Sequence, residues 1–440
     1  MRGTLERLVS QLLPRPAPLD RVDLVAAIVA VPVSALAALL RASSTLATTT
    51  VWAEDGRVFL ADAVNHGVAG SVLRSYNGYL HVPARVVGAL ATVRLTDAAL
   101  VLSGVPCLIV ACLASFTYLA ARPHVPSRAL RAVLALSVVL VPTAAGETLA
   151  NAANLHWFFM FAAFWAALWL PRVWVVRLWC ALIVFLAVTS DPFPLLLGPL
   201  IFLRFATGLP MRERLYLPLA YTAGAVLQVA AALTSRAHMP PPSFRGALKL
   251  YPLRVVLTTA TGFRAPTILF AHFGWLVVFV GLVAAIAAFA GTFVAGDRRQ
   301  IALPMLAIGL SVAMFVLYAG LRWSDGLAPV RGQPVFHTDS RYSVVPDLWL
   351  LSGAVVLVTR VVSSRVRHAL TAALALMVAL TWIVDFRVPT TRGATPTWAH
   401  SLHIAKAVCA HGAPRALVDV QPESYPVPWA AALPCTALHE

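Results

Sequence analysis

The sequence predicts an all-α, multi-pass membrane protein with about eleven transmembrane helices. Three observations carry this expectation. Hydrophobic residues fill 60% of the 440 positions and the mean hydropathy is +0.80, well above the range of soluble domains. Apolar runs close to the ~20 residues of a membrane span recur along the chain. Charged residues make up only 12% of the total, and they fall mainly between the runs. The net charge of +16 would point to nucleic acid if it formed one basic stripe. It does not, so a nucleic-acid partner is set aside and the arginines are read as markers of cytoplasmic turns.

In chain order, residues 1–22 are polar and basic, with Arg2, Arg7, Arg15 and Arg21, and read as cytoplasmic. The run 23–40 is the first span; no small-residue cleavage site follows it, so it reads as retained. Residues 42–96 form a long polar-to-amphipathic segment. Within it, 56–66 has helical periodicity that would place Asp55 and Asp62 on one face. The run 82–95 is interrupted by Arg85 and Arg94. It is too short to span and is expected as an interfacial helix. Further spans follow at 98–121, 132–145, 157–170, 178–189, 193–203, 215–233, 267–295, 301–321, 343–359 and 369–384. The connections 234–266 and 322–342 are expected as loops. Residues 1–385 make one polytopic domain without an internal repeat, and 386–440 a polar tail.

Arginine placement sets the orientation. With the N-terminus cytoplasmic, the short turns holding Arg122, Arg128 and Arg131, then Arg172 and Arg177, then Arg204, Arg212 and Arg214, then Arg360, Arg365 and Arg367 all face the cytoplasm. Glu54, Asp55, Glu147, Asp191, Asp325, Asp339 and Asp385 then face outside, as do 42–96, 234–266, 322–342 and the tail. If 82–95 spanned instead, every later arginine-rich turn would face outward.

The segment Trp52-Ala53-Glu54-Asp55-Gly56-Arg57, running on to Tyr76-Asn77-Gly78-Tyr79-Leu80-His81, carries the most suggestive chemistry. Adjacent acids beside an apolar surface can serve as a general base, or supply hard oxygen ligands to a divalent ion. The plain alternative is a solvated helix cap. Tyr79, His81 and Arg85 are candidate substrate contacts further along the same loop. A second polar cluster, Glu147, Asn151, Asn154 and His156 followed by Trp157, has helical spacing and suits sugar hydroxyls; its alternative is a capped helix end. Loop 234–266 holds Arg236, Arg245, Lys249, Arg254 and Arg264 with no acid, which suits an anionic ligand such as a lipid phosphate. Arg341 is a further phosphate candidate, and Tyr342 a stacking platform. No phosphate-binding glycine loop, zinc-protease motif or paired CxxC is present. Cys107, Cys112 and Cys180 lie in apolar runs and read as inert. Cys409 and Cys435 lie in the external tail, where a disulfide is expected.

In layout and in residues Trp52–Arg57, the chain resembles the GT-C superfamily of membrane glycosyltransferases. That resemblance implies a catalytic acid in the first external loop near an interfacial helix. It also implies a polyprenyl-phosphate-linked sugar as donor and a cell-envelope glycan, lipid or protein as acceptor. The chain reads Glu-Asp where many such enzymes have Asp-x-Asp or Asp-Glu, which leaves open which carboxylate is the base and whether a metal takes part. The implied reaction is inverting transfer at the outer face of the plasma (inner) membrane. Asp55 or Glu54 deprotonates the acceptor hydroxyl, while Lys249, Arg254 or Arg341 holds the phosphate. A transporter or flippase of envelope precursors is the rival reading; it expects charges and broken helices within the membrane. A non-catalytic assembly partner is the third.

Overall fold

Long apolar runs fold into long helices because a chain in lipid must satisfy its backbone hydrogen bonds within each segment. A computed structural model describes residues 2–14, 20–42, 47–234, 241–296, 300–324, 327, 340–388, 396–421 and 429–438. Among the described residues, seven helices are long and apolar enough to cross a membrane: Arg21–Arg41, Leu95–Ala120, Met211–Leu233, Trp275–Val294, Ala302–Leu321, Arg341–Thr359 and Ser364–Val384. This is the pattern of a multi-pass α-helical membrane protein. The four other apolar runs give shorter elements. Arg128–Leu140, Leu155–Leu168 and Trp174–Val188 have 13, 14 and 15 residues, and the fourth is broken into 3-10 and α pieces over Phe193–Ala206. At 1.5 Å per residue such helices cover about 20–23 Å, less than the ~30 Å hydrocarbon layer.

Leu155–Leu168 is buried on every side. A helix that is apolar all round belongs at the centre of a bundle, and Trp157, Phe158, Phe161 and Trp165 fill that centre. Arg21–Arg41 packs along the helix ending at Ala120, and Ala302–Leu321 along Arg341–Thr359. Arginine-rich turns are stapled at one end. Asp23 pairs with Arg131 and Arg128 at 2.9 Å and with Arg122 at 3.5 Å, and Arg177 pairs with Glu213 at 3.1 Å.

Several expectations need correction. The described residues 241–266 are not a plain loop: Phe244–Tyr251 is an amphipathic helix, continued by a π-helical turn Pro252–Leu257 and the short helix Thr258–Thr261. Ala247, Leu250 and Tyr251 face inward while Arg245 and Lys249 stay exposed; the charges and prolines concealed that period. Arg236 lies outside the described residues, as do Asp325 and Asp339. The expected span 267–295 is split: Arg264–Phe273 ends at Gly274, whose φ of +56° stops a helix, and Trp275–Ala295 follows. The expected interfacial helix 82–95 is Val82–Ala91. The helix turns only Val86 and Leu90 outward, Val93 and Arg94 beyond it are exposed, and Gly88 lets it touch the Phe59 backbone, where a Cβ would lie at 2.8 Å.

The spans are not free of charge either. Asp347, inside Arg341–Thr359, is buried and accepts hydrogen bonds from Thr143 Oγ1 at 2.8 Å and Thr259 Oγ1 at 3.2 Å. Cys112 is exposed rather than buried.

The tail departs from the all-α expectation. After the helix Trp398–Ala410, strands Arg415–Asp419 and Ala430–Pro434 pair antiparallel. Their burial alternates, with Ala416 and Val418 inward, as a half-buried strand requires. The expected Cys409–Cys435 disulfide is present, with Cα atoms 5.5 Å apart.

Candidate functional site

Four connections meet at one end of the bundle. The first begins with Trp52, which bridges to Gln421 of the tail. Ala53 follows with φ +26°, and a π-helical turn Asp55–Leu60 runs into the helix Ala61–Val72. The π turn shifts the helical register by about one residue. Asp55 and Asp62 therefore reach different neighbours instead of sharing a face. Asp62 binds Arg85 at 3.0 Å. Asp55, fully buried, accepts the backbone N–H groups of Ala152 at 2.7 Å and Ala153 at 2.8 Å.

The second connection is a tight turn. Asn77 and Gly78 have φ of 52° and 91°, and Tyr76 and Tyr79 exchange backbone hydrogen bonds across it. Asn-Gly is the sequence that favours this reversal. Leu80 N–H donates to Gln228 Oε1 at 3.1 Å and Val82 N–H to the Thr189 carbonyl at 3.1 Å, which fixes the turn beside residues 189–193.

The third is the stretch 145–154, a knot of turns rather than the expected helical face. Asn151 and Asn154 both donate to the Glu147 carbonyl, and Asn154 Oδ1 accepts from Trp157 Nε1 at 3.1 Å. Glu147 receives Arg341 Nη1 at 3.0 Å and the Ser340 N–H at 3.2 Å. Ala150 has φ +53°. Ala53, Asn77 and Ala150 are the non-glycine residues with positive φ among those described. Each costs of order 1–3 kcal/mol, and such strain gathers at functional sites.

The fourth connection carries Asp191. Its Oδ1 accepts the Phe193 N–H at 2.8 Å and its Oδ2 the Tyr318 hydroxyl at 3.3 Å, while His156 Nε2 lies 3.8 Å from Oδ2.

Between these connections lies a cavity of two adjoining lobes, about 250 and 110 Å³. Asn77, Tyr79, Tyr318 and Arg322 line both. Asp191 and Phe193 line the larger lobe. Glu54, His81, Asn154, His156, Arg341 and Tyr342 line the smaller. Aromatic rings wall it: Tyr318 lies 4.6 Å from Trp157, 4.9 Å from Tyr342 and 4.5 Å from Phe193, centroid to centroid. The cavity thus joins two acids, two imidazoles, two guanidiniums and several rings.

Burial sets the protonation states. It pushes the Asp191 carboxyl up to about 7. It pushes His81 well below its usual value, with the neighbouring His156 and Arg85 adding to the effect, so His81 is a neutral imidazole at pH 7. Burial also raises Tyr79 and Tyr76. Nε2 of His81 and of His156 has no hydrogen-bond partner among the described residues. Arg322 makes no side-chain hydrogen bond or ion pair among the described residues and lies at the junction of the lobes.

Of the residues singled out in the sequence, Glu54, Tyr79, His81, Asn154, His156, Arg341 and Tyr342 line the cavity, and Glu147 stands behind Arg341. The others do not line it. Arg85 is buried between Asp62 and Phe59, Arg254 is buried within the π turn, and Lys249 is exposed on its helix. Asp55 is held by backbone donors and does not line the cavity. Each Asp55 oxygen accepts a backbone N–H and the side chain is fully buried, whereas Glu54 lines the smaller lobe, so the two carboxylates face different surroundings. Among the described residues no group of three His, Cys, Asp or Glu is placed to hold a metal. Asp191, Tyr318 and Arg322 were not picked as site residues. Asp191 and Arg322 are the first charged residues after apolar runs on the same side as Glu54, a signal the sequence did contain.

Compared with protein-family models the chain matches none, and no curated protein is similar to it.

Proposed function

We propose that this protein is a membrane glycosyltransferase of the GT-C type, moving a sugar from a polyprenyl-phosphate donor to an envelope glycan, lipid or protein acceptor. One observation carries the reading: Glu54, Arg322 and a wall of tyrosine and tryptophan rings share one cavity at a helix end, and Arg322 has no ion pair among the described residues. Rings stack on sugar faces, and a guanidinium matches phosphate oxygens. A carboxylate engages a hydroxyl. In this reading the N-terminus is cytoplasmic, the chain crosses the plasma (inner) membrane about eleven times, and the cavity and tail face outside. Shorter helices such as Leu155–Leu168, enclosed by protein, then cross a locally thinned or water-penetrated layer. The donor arrives from the outer leaflet, Arg322 and Arg341 receive its phosphate, and Glu54 engages the acceptor hydroxyl. Polyprenyl phosphate is a competent leaving group.

The test is sugar transfer from polyprenyl-phosphate donors in membranes containing the protein. Glu54→Gln should lower turnover by at least about 10²-fold, since misplacing a reacting group by an ångström costs about that much, with expression unchanged. A fully active Glu54→Gln removes this acid from the reading, and absence of transfer from every polyprenyl-phosphate sugar removes the reading itself.

A further inference from the structure

Asp191 and His156 form an arrangement that the first-loop acid does not explain. Asp191 is fully buried, yet it lines the larger lobe. Its Oδ1 is committed to the Phe193 N–H, which leaves Oδ2 as the atom that can act. Beside it, His156 Nδ1 lies 2.8 Å from the Ala153 carbonyl. A carbonyl only accepts, so Nδ1 carries the proton and Nε2 presents a lone pair. That lone pair has no donor among the described residues and stands 3.8 Å from Asp191 Oδ2. Two acceptor atoms side by side, one of them receiving the Tyr318 hydroxyl, make a place built to receive a proton. Glu54 is different: it is half-buried, and its carboxylate has no hydrogen bond among the described residues to hold it in one geometry.

Resting on the transferase reading above, we propose that Asp191, with His156 beside it, takes the proton of the acceptor hydroxyl, while Glu54 holds that hydroxyl in line. The step balances without a co-reactant. The acceptor O–H bond breaks and its proton passes to Asp191 Oδ2, where His156 Nε2 accepts a hydrogen bond from the new carboxylic acid. The acceptor oxygen forms its bond to the anomeric carbon as the bond from that carbon to the phosphate oxygen breaks. That electron pair leaves on polyprenyl phosphate. The groups facing Asp191 from its neighbours are His156 from Leu155–Leu168, Tyr318 and Arg322 from the end of Ala302–Leu321, and Tyr79 from the Asn-Gly turn. Burial raises the carboxyl toward neutrality, while the Phe193 N–H, the Tyr318 hydroxyl and Arg322 restrain the rise, so the base is poised near working pH.

The experiment is the pH profile of kcat for the wild type, Asp191→Asn and Tyr318→Phe. It is paired with an infrared titration of the purified protein that reads the carbonyl stretch of a protonated carboxyl. In Asp191→Asn the side-chain amide retains an oxygen for the Phe193 N–H, so the fold is kept. The wild type should lose kcat below about pH 7, because the base is then protonated. Asp191→Asn should lower kcat by about 10²–10⁴-fold and abolish that limb, with donor KM little changed. Tyr318→Phe removes a donor to the carboxylate, so its limb should move to higher pH. The infrared band should titrate near neutrality, vanish in Asp191→Asn and shift with Tyr318→Phe. An Asp191→Asn enzyme that keeps both rate and limb, or an undiminished band titrating near neutrality in it, overturns the assignment. A protein that shows the band but transfers no sugar keeps the proton-accepting pair and loses the transferase reading.

Discussion

The backbone N–H of Gln421 donates to the carbonyl of Val51 across 2.9 Å, and the Gln421 carbonyl accepts in return from Ala53. The C-terminal unit is thereby clamped to the residues immediately before Glu54. Val420 lies against Gly56, and Arg57 stacks over Trp429 at 5.1 Å. The Cys409–Cys435 bridge joins the tail helix to the end of the second strand of this unit. Replacing both cysteines by serine should destabilise the tail unit by about 2–4 kcal/mol. Backbone hydrogen exchange at Ala53 and Gly56 should rise while the spanning helices keep their protection. Unchanged exchange at these two amides would show that the clamp stands without the disulfide.

Gly56 has no room for a side chain. A Cβ there would lie 2.5 Å from Val420 Cγ1 and 2.8 Å from Val51 Cγ1. Gly56→Ala should cost about 1–3 kcal/mol through overpacking, measured by thermal unfolding in detergent. Gly208→Ala, with nothing within 4 Å, is the matched control and should be neutral; equal melting of the two variants would contradict the contact.

Asp55→Asn should behave as a structural lesion. The amide nitrogen would face the Ala152 or Ala153 N–H, setting donor against donor. Leaving one buried backbone N–H unmet costs about 1–3 kcal/mol, so Tm should fall. Glu54→Gln should leave Tm unchanged. The reverse pattern in thermal unfolding would mean that the two acids have exchanged roles.

Arg322 should govern donor affinity. Loss of a charge-assisted hydrogen bond of about 1.5–3 kcal/mol corresponds to roughly 10–150-fold in donor KM for Arg322→Ala. Lys249→Ala, whose side chain does not line the cavity, should be silent. Arg341→Ala should be intermediate, because Arg341 already spends a donor on Glu147. A normal donor KM in Arg322→Ala places the phosphate elsewhere.

Asp191 should leave a mark on stability as well as on rate. Its carboxyl lies at about 7 when folded, against 3.8 ordinarily. Between those values the folded protein keeps a proton that the unfolded chain has released. Stability is therefore greatest below the lower value, declines as pH rises toward about 7, and is level above it. The decline amounts to a few kcal/mol at about 1.4 kcal/mol per unit. Asp191→Asn should remove this contribution and make the protein more stable than wild type at pH 8; an undiminished decline in denaturation midpoint would assign it to another group.

The sequence by itself determined what depends on local pattern. Run length located the long helices, such as Arg21–Arg41 and Ser364–Val384, because a span must satisfy its own backbone. Two cysteines in one tail announced their bridge. It also marked the end of the molecule where Glu54, His81, His156 and Arg341 gather. Only the tertiary structure decided which neighbour each side chain meets. Glu54 and Asp55 are adjacent, yet one lines the cavity and the other is spent on backbone 97 residues away. Successive residues on a helix point about 100° apart, and a π turn changes the count. Arg254 looked like a surface cation and is buried, because an amphipathic helix lay hidden beneath prolines and charges. Asp191, His156, Tyr318 and Arg322 meet only when four connections are packed together, and spacing along the chain encodes no distance between helices.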